Sequence, residues 1–119
     1  RLSNYKGKLV FINFWGTFCP PCVYEMPALQ SQYAKWNKQG VTILGVNLGE
    51  SEVTVKAFIK SNKITFPILY DDNREIARMF KVFSYPTTIV VKPNGKISDI
   101  IVGGMTESKI ENIIIQNIE

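Results

Sequence analysis

Apolar residues fall along this chain in two rhythms, short continuous runs and stripes at helical spacing, and the two alternate. Lys8–Phe14 (KLVFINF) is short and bounded by Gly7 and Gly16, which predicts a buried strand. From Pro20 to about Lys38, the residues Cys22, Met26, Leu29, Tyr33 and Trp36 recur at steps of four and three, so they share one face of a helix. Pro27 interrupts that stretch; it removes one donor and crowds the carbonyl of Val23, which predicts a kink. Gly40 is a natural stop. Val41–Asn47 (VTILGVN) predicts a second buried strand. Ser51 then caps a helix to about Asn62 with Val55, Phe58 and Ile59 inward.

The same alternation continues to the end of the chain. Phe66–Tyr70 predicts a third strand, and Asp72 with Glu75 has capping-box spacing for a short helix to about Lys81. Thr87–Lys92 and Ile97–Val102 read as two strands joined by the turn Pro93-Asn94-Gly95-Lys96, whose Asn-Gly pair tolerates positive φ. Thr106 opens a last helix with Ile110, Ile113, Ile114 and Ile118 on or near one face. The order is βαβαβαββα. Strands joined through helices predict a parallel sheet with right-handed crossovers. The closing hairpin makes it a mixed sheet flanked by helices, an α/β fold. No linker, repeat or low-complexity stretch divides residues 1–119, so one domain is expected.

Composition narrows the chemistry. At 119 residues and 45% hydrophobic, the chain is long enough and apolar enough to bury a core. No apolar run approaches the ~18 residues of a membrane helix. There is no signal peptide and no initiating Met, so Arg1 is expected to mark a processed or engineered start, with a targeting segment or anchor lost ahead of it. The net charge of +4 suits an anionic surface or acidic partners, although a solvated surface with a few extra lysines is the plainer reading. The lysines are scattered, with no basic block, which argues against nucleic acid.

Two cysteines and no histidine remain to carry function. Two cysteines are too few for a disulfide framework or a closed zinc site. Without His, a Cys-His nucleophile pair and His-based general catalysis are excluded. What is left is dithiol chemistry, with no metal and no cofactor beyond a redox-active Cys19–Cys22 disulfide. The pair sits where the first strand hands over to the first helix. Unpaired N–H groups and the partial positive charge at that terminus stabilise a thiolate, so Cys19 is the expected attacking sulfur. Cys22, one turn deeper, is the expected resolving thiol. Pro20 and Pro21 have φ angles suited to a first helical turn.

The run Gly7–Cys22 (GKLVFINFWGTFCPPC) resembles thioredoxin-like proteins of the ResA, StoA and TlpA group, and ResA proteins most closely. Further matches are Glu25-Met26-Pro27, Val46–Ser51 (VNLGES), Phe66-Pro67-Ile68, Tyr85-Pro86-Thr87-Thr88 and Met105-Thr106-Glu107. The resemblance covers essentially the whole chain. It implies a thioredoxin fold in which about residues 51–70 are a helix-strand insertion that plain thioredoxins lack. The group's N-terminal hairpin is mostly missing, which suggests that sequence before Arg1 was removed. ResA itself has an acidic residue where Pro20 stands, so the motif does not fix the substrate.

The resemblance also implies an extracytoplasmic, membrane-anchored, monomeric thiol-disulfide oxidoreductase. A membrane thiol-disulfide donor would keep it reduced. Its partners would be disulfide-bearing proteins such as apocytochrome c during cytochrome c maturation, or alternatively proteins of envelope or spore assembly. The Tyr85–Pro86 bond is implied to be cis, beside the disulfide, leaving Tyr85 backbone free to pair with an extended substrate. Glu25 is expected to accept the proton of Cys22, because plain thioredoxins place a buried Asp where Asn13 stands and Asn cannot take that role. Phe14 is expected in the core. Trp15 and Phe18, with Pro20, Pro21, Tyr85 and Pro86, are expected to line the substrate surface. Gly103 and Gly104 either admit close backbone approach near Pro86 or simply end a strand. A thiol peroxidase on a related fold usually has a lone peroxidatic cysteine, and a copper carrier needs a His with its cysteines. A non-enzymatic binding module is the remaining alternative.

Overall fold

Seven consecutive buried residues, Leu9–Trp15, form strand β1, around which the molecule is built. In this computed structural model, which describes residues 2–118, β1 pairs on one side in parallel with β2 (Val41–Asn47). On its other side it pairs antiparallel with β4 (Thr87–Val91). Beyond β2 lies β3 (Ile68–Tyr70), parallel; beyond β4 lies β5 (Ile97–Val102), antiparallel. The mixed five-stranded order is β3-β2-β1-β4-β5. Because β1, β2 and β4 are covered on both faces, they read as continuous apolar runs and not as alternation.

Strand parity divides the core. Leu9, Phe11 and Trp15 of β1 face one cluster, which takes Met26 and Leu29 from α1 (Pro20–Trp36), Val55 from α2 (Glu52–Ser61) and Ile110, Ile113 and Ile114 from α4 (Glu107–Asn117). Val10, Ile12 and Phe14 face the other, closed by Ala77 of α3 (Glu75–Met79) and by Val82. Phe14 is in the core as expected. Ser31 and Gln32 of α1 both donate to Glu107 Oε2 at 2.8 Å, tying α1 to α4 beside the Lys35–Glu111 ion pair.

The caps follow the sequence at two of the expected starts. Ser51 Oγ accepts from Thr54 N at 3.3 Å, and Thr106 Oγ1 accepts from Lys109 N at 3.2 Å. Pro27 lies inside α1 without ending it. The helix stops at Trp36, two residues short of the expected Lys38, and a 3₁₀ turn (Asn37–Gln39) leads to left-handed Gly40. The third strand is shorter than expected, since Phe66 packs into the core and Pro67 contributes only its carbonyl, accepting from Gly45 N at 2.9 Å.

Asp72 is not the cap of the short helix. Residues Asp72–Arg74 form a 3₁₀ turn with left-handed Asn73 and Arg74, and the carboxylate of Asp71 does the capping. Its Oδ1 accepts from Ile76 N at 2.7 Å and its Oδ2 from Ala77 N at 2.9 Å. Among the described residues no helix is long and apolar enough to cross a membrane.

Candidate redox-active site

At the C-terminal end of β1 the chain turns through Gly16-Thr17-Phe18 and enters α1 at Cys19. Cys19 N donates to Gly16 O at 3.2 Å, closing that turn. Cys19 is the N-cap, extended at φ −108° and ψ 104°, and its Sγ accepts from Cys22 N at 3.3 Å. Pro20 and Pro21 occupy the first helical positions, where a missing N–H removes only donors that the helix cannot pair. Cys19 and Cys22 are joined as a disulfide, with Cα atoms 5.2 Å apart. Their exposures differ in the way the chemistry requires: Cys19 is 7% exposed and Cys22 is 0%. An incoming sulfur can reach only the first.

Behind the pair lies a buried polar group. Glu25 follows Cys22 on the inward side of α1 and is 3% exposed. Its Oε1 accepts from Asn13 Nδ2 at 2.9 Å and its Oε2 from Met105 N at 2.8 Å. Asn13 Nδ2 also donates to Thr88 Oγ1 at 3.0 Å. Burial raises the proton affinity of Glu25 above the ordinary carboxylate range; the bonds from Met105 N–H and Asn13 pull downward without cancelling it. Asn13 thus occupies the strand position under α1 and holds the carboxylate that sequence reasoning placed near the pair. Pro20, Pro21, Tyr24, Glu25, Gly104 and Met105 line one groove of about 420 Å³ beside the motif. Tyr24, exposed on α1, was not foreseen there.

The remaining expected residues separate into two groups. Phe18 is 62% exposed and folds its ring over Gly16, where an added Cβ would lie 2.2 Å from Phe18 Cε2. Pro20 and Pro21 are exposed, Tyr85 is half-buried and Pro86 is buried. The Tyr85–Pro86 peptide bond is cis. Pro86 O accepts from Gly103 N at 2.8 Å, whereas Tyr85 has no backbone hydrogen bond among the described residues. Gly103 therefore does approach Pro86 through the backbone.

Trp15 belongs to the other group, and its assignment to the substrate surface is corrected. It is 0% exposed, and its ring lies 5.3 Å from that of Phe58 in α2. Its parity on β1 sends it inward beneath the inserted helix, where Gly45 leaves room for the indole.

A disulfide-bonded cysteine pair at a βα junction, with a buried carboxylate one turn along the helix and a cis-proline loop leading into β4, defines a thioredoxin-fold redox site. The comparisons agree with that class. Residues 1–100 match the AhpC/TSA family, and the chain belongs to that family. It is 44% identical over 112 residues to the thiol-disulfide oxidoreductase ResA of Bacillus subtilis (strain 168), covering 94% of this chain and 63% of that protein. It is 45% identical over 111 residues to ResA of Geobacillus kaustophilus, covering 93% and 64%. The chain thus spans a little under two thirds of the length of these relatives.

Two solved structures show the same fold. The crystal structure of StoA from Bacillus subtilis matches with a TM-score of 0.81 at 33% identity, over 90% of this chain and 82% of that one. A thioredoxin-family thiol:disulfide interchange protein from Chlorobium tepidum matches with a TM-score of 0.91 at 28% identity, over 98% and 84%. The fold is the thioredoxin fold, with α2 and β3 added at one edge of the sheet.

Proposed function

We propose that this domain is a thiol-disulfide oxidoreductase that reduces disulfides in extracytoplasmic proteins, apocytochrome c among them. The observation that carries the reading is the unequal pair, a reachable Cys19 at a helix N-terminus bonded to a Cys22 that solvent does not touch. In the reduced protein, the Cys19 thiolate attacks one sulfur of the substrate disulfide; that bond breaks and the other substrate sulfur leaves as thiolate. Cys22, deprotonated, then attacks Cys19 Sγ. The Cys19–Cys22 disulfide forms and the second substrate sulfur is released, so two electrons pass to the substrate. Glu25 takes the proton of Cys22, a task suited to a carboxylate whose burial raises its proton affinity. Phe18, Pro20, Pro21, Tyr85 and Pro86 form the surface that meets the substrate, with the Tyr85 backbone available to an extended segment. A membrane thiol-disulfide donor returns the pair to the reduced state, and an anchor outside this sequence keeps the domain beside it. The names of the relatives and the resemblance to the ResA, StoA and TlpA group support this placement.

The test is a trapping experiment. Cys22→Ser should accumulate a mixed disulfide at Cys19 that is slow to resolve, and Cys19→Ser should abolish exchange. Partners held by Cys22→Ser in the native compartment identify the substrate; trapping at Cys22 instead of Cys19 would reverse the assigned roles.

A further inference from the structure

β1 and β2 run side by side to Trp15 and Asn47 and then part, one chain toward Cys19 and the other toward α2. Glu50 bridges the gap. Left-handed Gly49 reverses the chain after β2, and Gly49 N donates to Asn47 O at 3.0 Å. Asn47, fully buried, and Glu50, partly exposed, are paired reciprocally: Asn47 Nδ2 donates to Glu50 Oε1 at 2.8 Å, and Glu50 N donates to Asn47 Oδ1 at 3.1 Å. The same Oε1 accepts from Thr17 N at 2.8 Å, and Oε2 accepts from the Thr17 hydroxyl. Thr17 is the middle of the turn that closes between Gly16 and Cys19. Among the described residues the carboxylate accepts only from Thr17 and Asn47, so it joins the turn to the end of β2.

We propose that Glu50 is a positioning residue for Cys19: it fastens the Gly16–Cys19 turn to the end of β2 and so holds the sulfur in its N-cap geometry. The proposal rests on the oxidoreductase reading and adds a residue to it that makes no contact with substrate. With the turn fastened, Cys19 stays extended and its sulfur stays within reach of the Cys22 N–H. That contact and the helix terminus favour thiolate. With the turn loose, the sulfur leaves the cap, thiolate is less favoured and attack slows.

Charge and clamp predict opposite signs, which makes the idea testable. Removing a nearby negative charge alone should favour the Cys19 thiolate. Removing the clamp should disfavour it. Glu50→Gln keeps the acceptor for both N–H donors and loses the charge; Glu50→Ala loses both. Iodoacetamide labelling of Cys19 against pH gives the thiol midpoint, and stopped-flow reaction with glutathione disulfide gives the rate. Glu50→Ala should raise the midpoint and slow the reaction about tenfold. Glu50→Gln should leave the midpoint unchanged or lower and the rate within about threefold.

A Glu50→Ala protein with wild-type midpoint and rate overturns the proposal, and so does a Glu50→Gln protein as impaired as Glu50→Ala. If Glu50→Ala does not fold, Thr17→Val decides, since it removes only the hydroxyl donor: about threefold slowing is expected, and an unchanged rate overturns the proposal. A wild-type protein that fails to reduce glutathione disulfide at all counts against the oxidoreductase reading instead.

Discussion

Two carboxylates flank the redox pair, one beneath it and one ahead of it, and they are built from matching parts. Glu25 receives a backbone N–H from Met105 and a side-chain amide from Asn13 of β1. Glu50 receives a backbone N–H from Thr17 and a side-chain amide from Asn47 of β2. The outcomes differ. Glu25 is shut away under α1, and burial outweighs its two donors, so its proton affinity rises. Burial also works against the charge on Glu50, but that residue lies in a loop nearer water and gains a third donor, the Thr17 hydroxyl; its proton affinity falls. The balance between desolvation and donors, and not the residue type, decides which carboxylate is pushed toward holding a proton and which toward staying charged.

Asp71 extends the comparison to a carboxylate with no redox neighbour, and it carries the largest expected effect on stability. It is 1% exposed and takes two N–H groups at the start of α3. Asp71→Ala leaves both donors without a partner in a closed site, which should cost about 1–3 kcal/mol in urea unfolding. Reaction with glutathione disulfide should be unchanged where the protein is folded. A cost under about 0.5 kcal/mol would mean that water replaces the carboxylate, against its burial.

Glu25→Gln comes next. Gln cannot take a proton at neutral pH, so release of the mixed disulfide by Cys22 should slow about tenfold, equal to about 1.4 kcal/mol, while first attack by Cys19 is little changed. The wild-type release rate should rise with pH through the raised Glu25 titration, and the variant should lose that rise. The structure adds one condition to the experiment. Both Glu25 oxygens accept from N–H, and Gln offers a single carbonyl oxygen, so stability must be measured beside rate. If wild type and Glu25→Gln resolve at the same rate with the same pH profile, Glu25 serves only to pair Asn13 and Met105.

How much of this was legible in sequence depends on the reach of each signal. The strand-to-helix step at Phe14–Cys22, the caps Ser51 and Thr106 and the inward Val55 and Ile110 are local patterns, and local patterns are written within a few residues of one another. Trp15 was misplaced because β1 is buried on both faces, so period-two alternation that would have fixed its side is missing. Asp72 looked like the cap because its spacing to Glu75 fits the common box; the intervening left-handed Asn73 and Arg74 shift the helix start and give the role to Asp71. Glu50 carries no local mark at all. It reads as an acidic residue before a helix, and its partner Thr17 lies 33 positions away. Only the closing of β1 against β2 brings them together.

The smallest expected effect is the sharpest test of the contrast, since it turns on sign. For Glu25 the folded state holds a proton at pH values where the unfolded chain has lost it. Stability contributed by that proton is fully present below the ordinary value of 4.5 and is lost as pH rises through the raised folded value. Glu50 runs the other way. Its folded affinity is lowered, so its contribution is present above the ordinary value of 4.5 and is lost as pH falls through the folded value. Urea unfolding of wild type, Glu25→Gln and Glu50→Gln from acidic to neutral pH isolates each slope as a difference from wild type. Wild type should lose ground to Glu25→Gln as pH rises, and lose ground to Glu50→Gln as pH falls. The second slope should be the shallower, because Glu50 is partly exposed and solvent screens its bonds. Two slopes of the same sign would show that the carboxylates share one environment, and the division of labour between them would not hold.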